Sequence, residues 1–378
     1  MRKSCLALLL ACCLLALTGC SSLLEREYRS VSRHISQTAD TEDTSVLRVQ
    51  RYSDLVNSVQ FFVTLGEEEG VVHLYQYSGD VEQDVAEACQ EVLTQDPLGA
   101  WALLDIDWSC SRIVSYYECT FTFRYRHTVA EMASIQTAVG TTAVRDAMEQ
   151  SLTSYAPALV LKTSRYYAQK ELLFSLLQEA YYANPAYALG YPSVSISLYP
   201  QEGQSTQQIV ELTFSYGQSQ ARLQAQAEEV AAAAAALVGP APAQGETGLW
   251  LLCSRLADQI DYDPEGSASV YAALVEGTVD SQGAALAYQL LCDQAGFSCQ
   301  TVQGTLDGSP HWWNLVELEG VWRHVDVIAG LGQEDFLRSD RQMEERYAWD
   351  REGYPACPEE EPPEEAGAEE DITGETSP

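Results

Sequence analysis

Two stretches of this 378-residue chain decide its fold: DSQGAALAY at residues 280–288 and HWWNLVELEGVWRHVDV at residues 311–327. Small and apolar residues follow Ser281 in the first stretch, which predicts a helix that begins near that serine. A nucleophile in the first turn of such a helix would lie at the positive end of the helix dipole, which favours its anion. The second stretch predicts two strands.

The second stretch has the pattern of a β-hairpin. The interval of fifteen residues from His311 to Asp326 suits a hairpin of residues 315–318 and 321–327 joined at Glu319-Gly320. That turn would bring Asp326 beside His311, where a carboxylate could orient the imidazole and stabilise the imidazolium.

Residues 246–349 resemble the bacterial transglutaminase-like domain of the papain-like superfamily. The positions that carry the resemblance are His311, Trp313, Asn314, Gly320, Trp322 and Asp326. It implies a papain-like fold with peptidase or acyltransferase chemistry. Nothing in the sequence implies an organic cofactor or a metal ion.

The chain departs from the family at the nucleophile, because Ser281-Gln282-Gly283 stands where the family has Cys-x-Gly. A hydroxyl holds its proton far more tightly than a thiol, so a site arranged for a thiolate is not arranged to activate serine. One interpretation is a degenerate site in which Ser281 only caps its helix. The alternative is an active serine triad of Ser281, His311 and Asp326.

Three side chains next to the candidate base are candidates for ligand contact: Trp312, Trp313 and Asn314. Successive strand residues point to opposite faces, so one of the two tryptophans should be exposed. Trp322 is more typical of core packing. The resemblance implies that Trp313 and Trp322 line or support the cleft.

The N-terminus predicts export. Residues 1–19 combine a short basic start with an apolar run too short to span a bilayer, as in a secretory signal. Leu17-Thr18-Gly19-Cys20 looks like the lipobox of bacterial lipoproteins, so we expect Cys20 to carry lipid and residues 20–45 to form a tether. The protein would then lie on the outer face of the bacterial cell membrane.

Seven cysteines remain after the lipidated one, so at least one thiol is unpaired. Cys110 with Cys119 and Cys292 with Cys299 are close enough in sequence to form disulfides, and buried thiols are an equally good interpretation of each pair. No CxxC pair occurs and the five histidines are scattered, which makes a structural zinc site improbable.

Residues 46–130 and 131–217 repeat one order of elements. Each copy has a helix, a short strand, a second helix ended by proline, and two alternating strands. The predicted elements of the first copy are 54–65, 71–77, 81–94, 101–107 and 116–125. Those of the second copy are 141–154, 158–162, 168–183, 193–199 and 209–216. The sequence therefore predicts an α+β protein with duplicated α/β units, whose antiparallel sheets carry helices on one face.

Two further segments differ in composition from the rest. Residues 218–245 run into six alanines and then Gly-Pro, which predicts a helical connector or a helix leading into the last domain. Residues 350–378 are acidic and rich in proline, which predicts a disordered tail.

The net charge of −34 and the presence of only three lysines exclude nucleic-acid binding as the main function. Residues 246–357 contain six arginines and no lysine, and their net charge is −13. A cleft in such a negative field should favour cationic or neutral ligands. The sequence thus predicts a surface lipoprotein that binds peptides, proteins or peptidoglycan. The alternative is an active peptidase or acyltransferase.

Overall fold

The computed structural model describes residues 46–203, 205–329 and 336–359, which form a mixed helix-and-sheet protein as predicted. The helices are α1 (Tyr52–Leu65), α2 (Val81–Thr94), α3 (Pro97–Ala102), α4 (Val129–Ala133), α5 (Thr141–Thr153), α6 (Lys170–Tyr182), α7 (Gln220–Val238), α8 (Gly245–Ala257), α9 (Ser281–Ala295) and α10 (Asp340–Met343). The strands are β1 (Val46–Val49), β2 (Glu69–Tyr75), β3 (Leu103–Ile113), β4 (Tyr116–Tyr125), β5 (Gln136–Thr137), β6 (Ala158–Ser164), β7 (Ser193–Tyr199), β8 (Gln207–Ser215), β9 (Asp261–Ser267), β10 (Thr278–Val279), β11 (Cys299–Leu306), β12 (Ser309–Leu318), β13 (Val321–Val325) and β14 (Tyr347–Trp349). Short turns of other helix types occur at Pro185–Tyr187, Ala272–Glu276 and Arg351–Gly353.

The first two sheets have the same topology. Their strand orders are β1-β2-β4-β3 and β5-β6-β8-β7, and in each the first pair is parallel while the other pairs are antiparallel. The prediction of purely antiparallel sheets is therefore wrong, because α1 and α5 each return the chain to run alongside the strand before them. Those first strands, β1 and β5, are too short to show an alternating pattern in the sequence.

Most predicted elements agree with the structure, and α2, β4 and β7 agree residue for residue. The strand predicted from Trp101 is wrong at its start, because Trp101 lies in α3 and the strand begins at Leu103. Asp96 caps α3 by accepting a hydrogen bond from the Gly99 N–H at 2.7 Å, and Pro97 occupies the first helical position.

The first repeat has its own hydrophobic core, formed by α1, α2 and one face of the first sheet. The core of the second repeat continues without interruption into the C-terminal region. Helix α7 belongs to this shared core, since Leu223, Val230, Ala234 and Val238 are buried and the helix contacts α9. The segment predicted as a connector is thus a structural part of the C-terminal half.

The two repeats meet through α3. Trp101, which is 1% exposed, forms a small cluster with Ala102 and Ile209, and Val160 and Tyr199 pack against it. The sheet of the second repeat is therefore covered by helix residues on one face and by the first repeat on the other.

The last sheet, β13-β12-β11-β14, lies on α9. The predicted hairpin is confirmed: β12 and β13 are joined by Glu319 and Gly320, whose φ values of 54° and 82° are both left-handed. The opposite face holds a second cluster that includes Trp313, Tyr347 and Cys357. Because Cys357 is 1% exposed, the fold extends beyond residue 350, where the tail was predicted to begin.

One of the two possible disulfides forms. Cys110 and Cys119 are directly opposite each other on β3 and β4 and are bonded, whereas Cys292 and Cys299 are free thiols. None of the helices in the described residues combines the length and apolar composition needed to cross a bilayer. The predicted signal, lipidation site and tether at residues 1–45, and the tail after residue 359, lie outside the described residues.

Candidate active site

Ser281 is the first residue of α9 and is 7% exposed. The cap of this helix is Asp280, whose Oδ1 accepts a hydrogen bond from the Gly283 N–H at 2.8 Å. A Cβ at Gly283 would lie 2.4 Å from the Val279 side chain, so only glycine fits where the helix begins. The interpretation of Ser281 as a helix cap is therefore wrong, because the preceding residue already has that role.

The Ser281 hydroxyl oxygen accepts a hydrogen bond from the Trp312 backbone N–H at 3.2 Å. This contact places the serine against β12, one residue from His311. Within the described residues, no hydrogen bond joins the Ser281 hydroxyl to the His311 ring. The serine is thus next to the candidate base, but its oxygen is held by the strand backbone.

His311 and Asp326 form a buried pair. Their Nε2 and Oδ2 atoms are 2.8 Å apart, and the side chains are 3% and 2% exposed. The hairpin produces this contact, because Asn314 pairs with Val325 and the next residue along that strand is Asp326. With Nε2 engaged by the carboxylate, Nδ1 is the imidazole nitrogen left to exchange a proton with a reactant.

The Asp326 carboxylate receives two further hydrogen bonds. Tyr347 donates its hydroxyl to Oδ2 at 2.7 Å, and the Ile328 N–H donates to Oδ1 at 2.9 Å. Burial, followed by the charge of Asp326, raises the pKa of Tyr347, so its hydroxyl keeps its proton and remains a donor. Together with His311 Nε2, these two contacts fix the orientation of the carboxylate. No local sequence signal points to Tyr347, because it reaches the site through tertiary packing.

The three predicted ligand-contact residues lie in different environments. Trp313 is 1% exposed and donates from Nε1 to His324 Nδ1 at 2.9 Å. Asn314 is fully buried and donates from Nδ2 to the Ala285 carbonyl at 2.9 Å, which ties β12 to α9. Only Trp312 is partly exposed. Strand alternation therefore exposes one tryptophan as predicted, and burial leaves Trp313 and Asn314 no access to a ligand.

A second polar cluster lies behind Trp313. One potential metal ligand atom from each of His324, Asp340 and Cys357 lies within 4.8 Å of the other two. Because an indole N–H can only donate, His324 Nδ1 must accept from Trp313, and Nε2 then carries the proton that it donates to Asp340 at 2.9 Å. Burial lowers the pKa of His324 and raises that of the Cys357 thiol to about 12. In this arrangement the cluster is a hydrogen-bonded support for Trp313, with no free histidine nitrogen for a metal ion.

Tyr182, at the end of α6, joins the site from the second repeat. Its ring lies 4.9 Å from that of Trp312, and its hydroxyl accepts a hydrogen bond from Gln282 Nε2 at 3.4 Å. The sequence has no local signal that would place Tyr182 at the site, because it reaches Ser281 through the packing of α6 on α9. Two cavities of about 370 and 260 Å³ lie elsewhere, lined by residues of both repeats such as Trp101 and Lys162.

Comparisons with known proteins give distant structural matches. No family model matches the sequence, and no curated protein matches it. A solved transglutaminase (TGase) structure aligns with 60% of this chain and 65% of its own, at 11% identity and a TM-score of 0.28. A candidate protease from Parabacteroides distasonis ATCC 8503 aligns with 55% of this chain and 45% of its own, at 7% identity and a TM-score of 0.21. This chain spans less than two thirds of either solved chain.

Proposed function

We propose that this protein is an exported lipoprotein whose transglutaminase-like domain has lost its nucleophile and binds peptides or cell-wall stem peptides without turning them over. The observation that carries the proposal is Ser281, in the nucleophile position of α9, with its oxygen held by the Trp312 N–H rather than by His311. The lipobox-like sequence ending at Cys20 supports attachment to the outer face of the membrane.

The chemistry of serine supports a binding role. A cysteine in this position could be stored as a thiolate opposite a protonated imidazole, whereas a serine must lose its proton to the base during attack. That transfer needs a hydrogen bond from the hydroxyl to the base, and here His311 and Ser281 do not form one. By analogy with other triads, loss of the nucleophile lowers turnover on the order of 10⁶-fold.

An active serine peptidase or acyltransferase is the second candidate, and the His311–Asp326 pair favours it. The pair is buried, its atoms are 2.8 Å apart, and the carboxylate accepts two further hydrogen bonds. In such an enzyme His311 would accept the Ser281 proton and Asp326 would stabilise the imidazolium.

Three variants distinguish the two candidates. We expect peptide hydrolysis and amine incorporation by the full chain to equal those of Ser281→Ala, at background. Ser281→Cys should gain activity, because a thiol restores the nucleophile beside an intact His311–Asp326 pair. A matched control, Ser281→Cys with His311→Gln, should lose that gain. Activity in the unmodified chain that Ser281→Ala abolishes would refute the binding role and establish the serine enzyme.

Lipid attachment needs a separate measurement. We expect the exported protein to partition into detergent and to incorporate radiolabelled fatty acid, and Cys20→Ser to lose both properties. Normal partitioning and labelling of Cys20→Ser would contradict lipidation at that residue.

A further inference from the structure

The second repeat contributes an aromatic wall to the candidate site. Tyr182 is half-buried, and its ring faces Trp312 at 4.9 Å with an angle of 44° between the planes. Its backbone carbonyl accepts a hydrogen bond from Gln289 Nε2 at 3.1 Å, which fixes the end of α6 on α9. The position of this ring is therefore set by the packing of the repeat and not by a mobile loop.

The wall lies directly beside Ser281. Trp312 donates its backbone N–H to Ser281, and Gln282, the next residue, donates to the Tyr182 hydroxyl. Tyr191, which is 44% exposed, packs on the buried ring of Tyr181 at 4.9 Å, and Tyr181 in turn contacts Tyr182 at 5.3 Å. Aromatic rings of the second repeat therefore lie next to Ser281.

Strand β9 lies next to the site and carries negatively charged side chains. It pairs with β10, the strand that leads into Ser281, and its carboxylates at Asp261, Asp263 and Glu265 are exposed. Tyr262, which is 45% exposed, lies near enough to Asp280 and Asp326 for both carboxylates to raise its pKa, after the larger effect of burial. The surroundings of Ser281 therefore combine aromatic rings with carboxylates.

Four of the six arginines in residues 246–357 are engaged by other groups. In the described residues Arg341, Arg346 and Arg351 each form an ion pair with a carboxylate. Arg255 donates to the Leu237 carbonyl at the end of α7. Cations attached to a ligand are attracted both by the faces of aromatic rings and by a surface of one negative sign.

We propose that this site selects peptides that carry a lysine or arginine side chain, with Tyr182 and Trp312 receiving the cation and the β9 carboxylates setting the preference for positive charge. This inference rests on the proposed peptide-binding function and adds its specificity. Tyr182 is then a specificity residue supplied by the second repeat, so the repeat forms part of the binding site.

Calorimetry with three short alanine peptides tests the proposal. The peptides carry two lysines, two glutamines or two glutamates and are otherwise identical. We expect the full chain to bind the lysine peptide about tenfold more tightly than the glutamate peptide at low salt, and the ratio to fall as salt is added. Tyr182→Ala should weaken lysine-peptide binding about tenfold, and Tyr182→Phe much less, because the ring remains.

Two controls separate the ring from the charge. Tyr166→Ala removes a tyrosine that is 70% exposed and whose ring contacts Tyr167, and it should leave binding unchanged. Combined Asp261→Asn, Asp263→Asn and Glu265→Gln should bring the lysine and glutamate affinities together without removing the aromatic wall.

The outcomes distinguish failure of the charge selectivity from failure of the proposed peptide binding. Equal binding of all three peptides, or full lysine-peptide binding by a folded Tyr182→Ala variant, would overturn the charge selectivity and leave peptide binding intact. Binding of none of the peptides would overturn both. Cleavage of a bound peptide, seen by mass spectrometry, would overturn the binding-only role while the affinity order still supports the selectivity.

Discussion

The two repeats have the same strand order, yet the segment after the second helix packs on a different neighbour in each repeat. In the first repeat the residues after α2, Pro97–Ala102, pack on the sheet of the second repeat. In the second repeat the corresponding residues, Pro185–Tyr187, pack on α9 and α7 of the C-terminal region. The units are therefore joined in series, each docking the turn after its second helix on the next unit.

The difference between the two contacts determines which repeat takes part in the site. The first repeat keeps a closed core and touches its neighbour through a small cluster around Trp101, against which Leu98 and Tyr125 also pack. The second repeat has no separate core, because Leu177 and Leu173 of α6 belong to the same cluster as Leu286 of α9. A continuous core can hold Tyr182 in a fixed position beside Ser281, which a small interface could not do.

Trp101→Ala should have the largest effect, because it removes the main side chain between the repeats. We expect a loss of about 3–5 kcal/mol in the free energy of unfolding, as for other buried tryptophans. Urea unfolding should then show the first repeat separating before the rest. Tyr166→Ala, which removes an exposed ring, should change stability by less than about 0.5 kcal/mol. A single unfolding transition of unchanged midpoint in Trp101→Ala would contradict this role.

A matched pair of core substitutions tests whether the cores differ in extent. Leu55 of α1 and Leu177 of α6 are both fully buried, so each change to alanine should cost about 2–5 kcal/mol. Hydrogen exchange should locate the damage: we expect Leu177→Ala to lower the protection of amides in α9, and Leu55→Ala to leave them unchanged. Loss of α9 protection in both variants would mean that the three units unfold as one.

Local pattern was sufficient to predict the longer helices and strands of both repeats and the hairpin that pairs His311 with Asp326, but not the short elements β1, β5, α3 and α4. Each depends on residues close in sequence, such as the turn at Glu319-Gly320 and the prolines that follow the helices. The start at Trp101 was missed although Asp96-Pro97 is itself a helix-start signal, because alternation after it favoured a strand. Asp280 was missed as a cap because serine and aspartate are comparably good N-cap residues, so the sequence pattern did not distinguish the two positions.

Local pattern could not predict the shared core, nor the contacts that Tyr182 and Tyr347 make with the site. Tyr182 and Tyr347 lie far in sequence from Ser281 and His311, and a tyrosine on a half-buried face has the same pattern whether it fills a core or lines a cleft. Tertiary packing decides which of these occurs, so the role of the second repeat became visible only in the fold.

Substitution of the residues that precede the two corresponding turns should lower the free energy of unfolding by less than the core substitutions do. Asp96 accepts the Gly99 N–H at 2.7 Å, and Asp96→Ala should cost about 1 kcal/mol. Asn184, its counterpart, makes no cap bond and donates from Nδ2 to the Ala180 carbonyl, so Asn184→Ala should cost less. Chemical denaturation of both variants measures the difference, and an equal or larger loss for Asn184→Ala would contradict the assignment of the cap.

The smallest expected effect is the change with pH in the contribution of Asp96 to the free energy of unfolding. Burial raises the pKa of this carboxyl above its usual 3.8, outweighing the Gly99 hydrogen bond and the charge of Lys162. Folding therefore favours the protonated form, so the contribution of this group is fully present below about pH 4 and is lost as the pH rises through the folded value. Asp96→Asn keeps an acceptor for Gly99 and cannot ionise.

We therefore expect the free energy of unfolding of the unmodified chain, minus that of Asp96→Asn, to fall as the pH rises above about 4. The contributions of the other titrating groups are the same in both proteins and cancel in this difference. Asp105→Asn is the opposite control, because its hydrogen bond with Arg124 lowers the pKa of Asp105. Its difference should rise as Asp105 ionises, to a small extent because the pair is exposed. If the Asp96 difference rose with pH instead, the carboxylate would be stabilised at this cap, and the first repeat would hold its docking segment by charge rather than by a neutral acceptor.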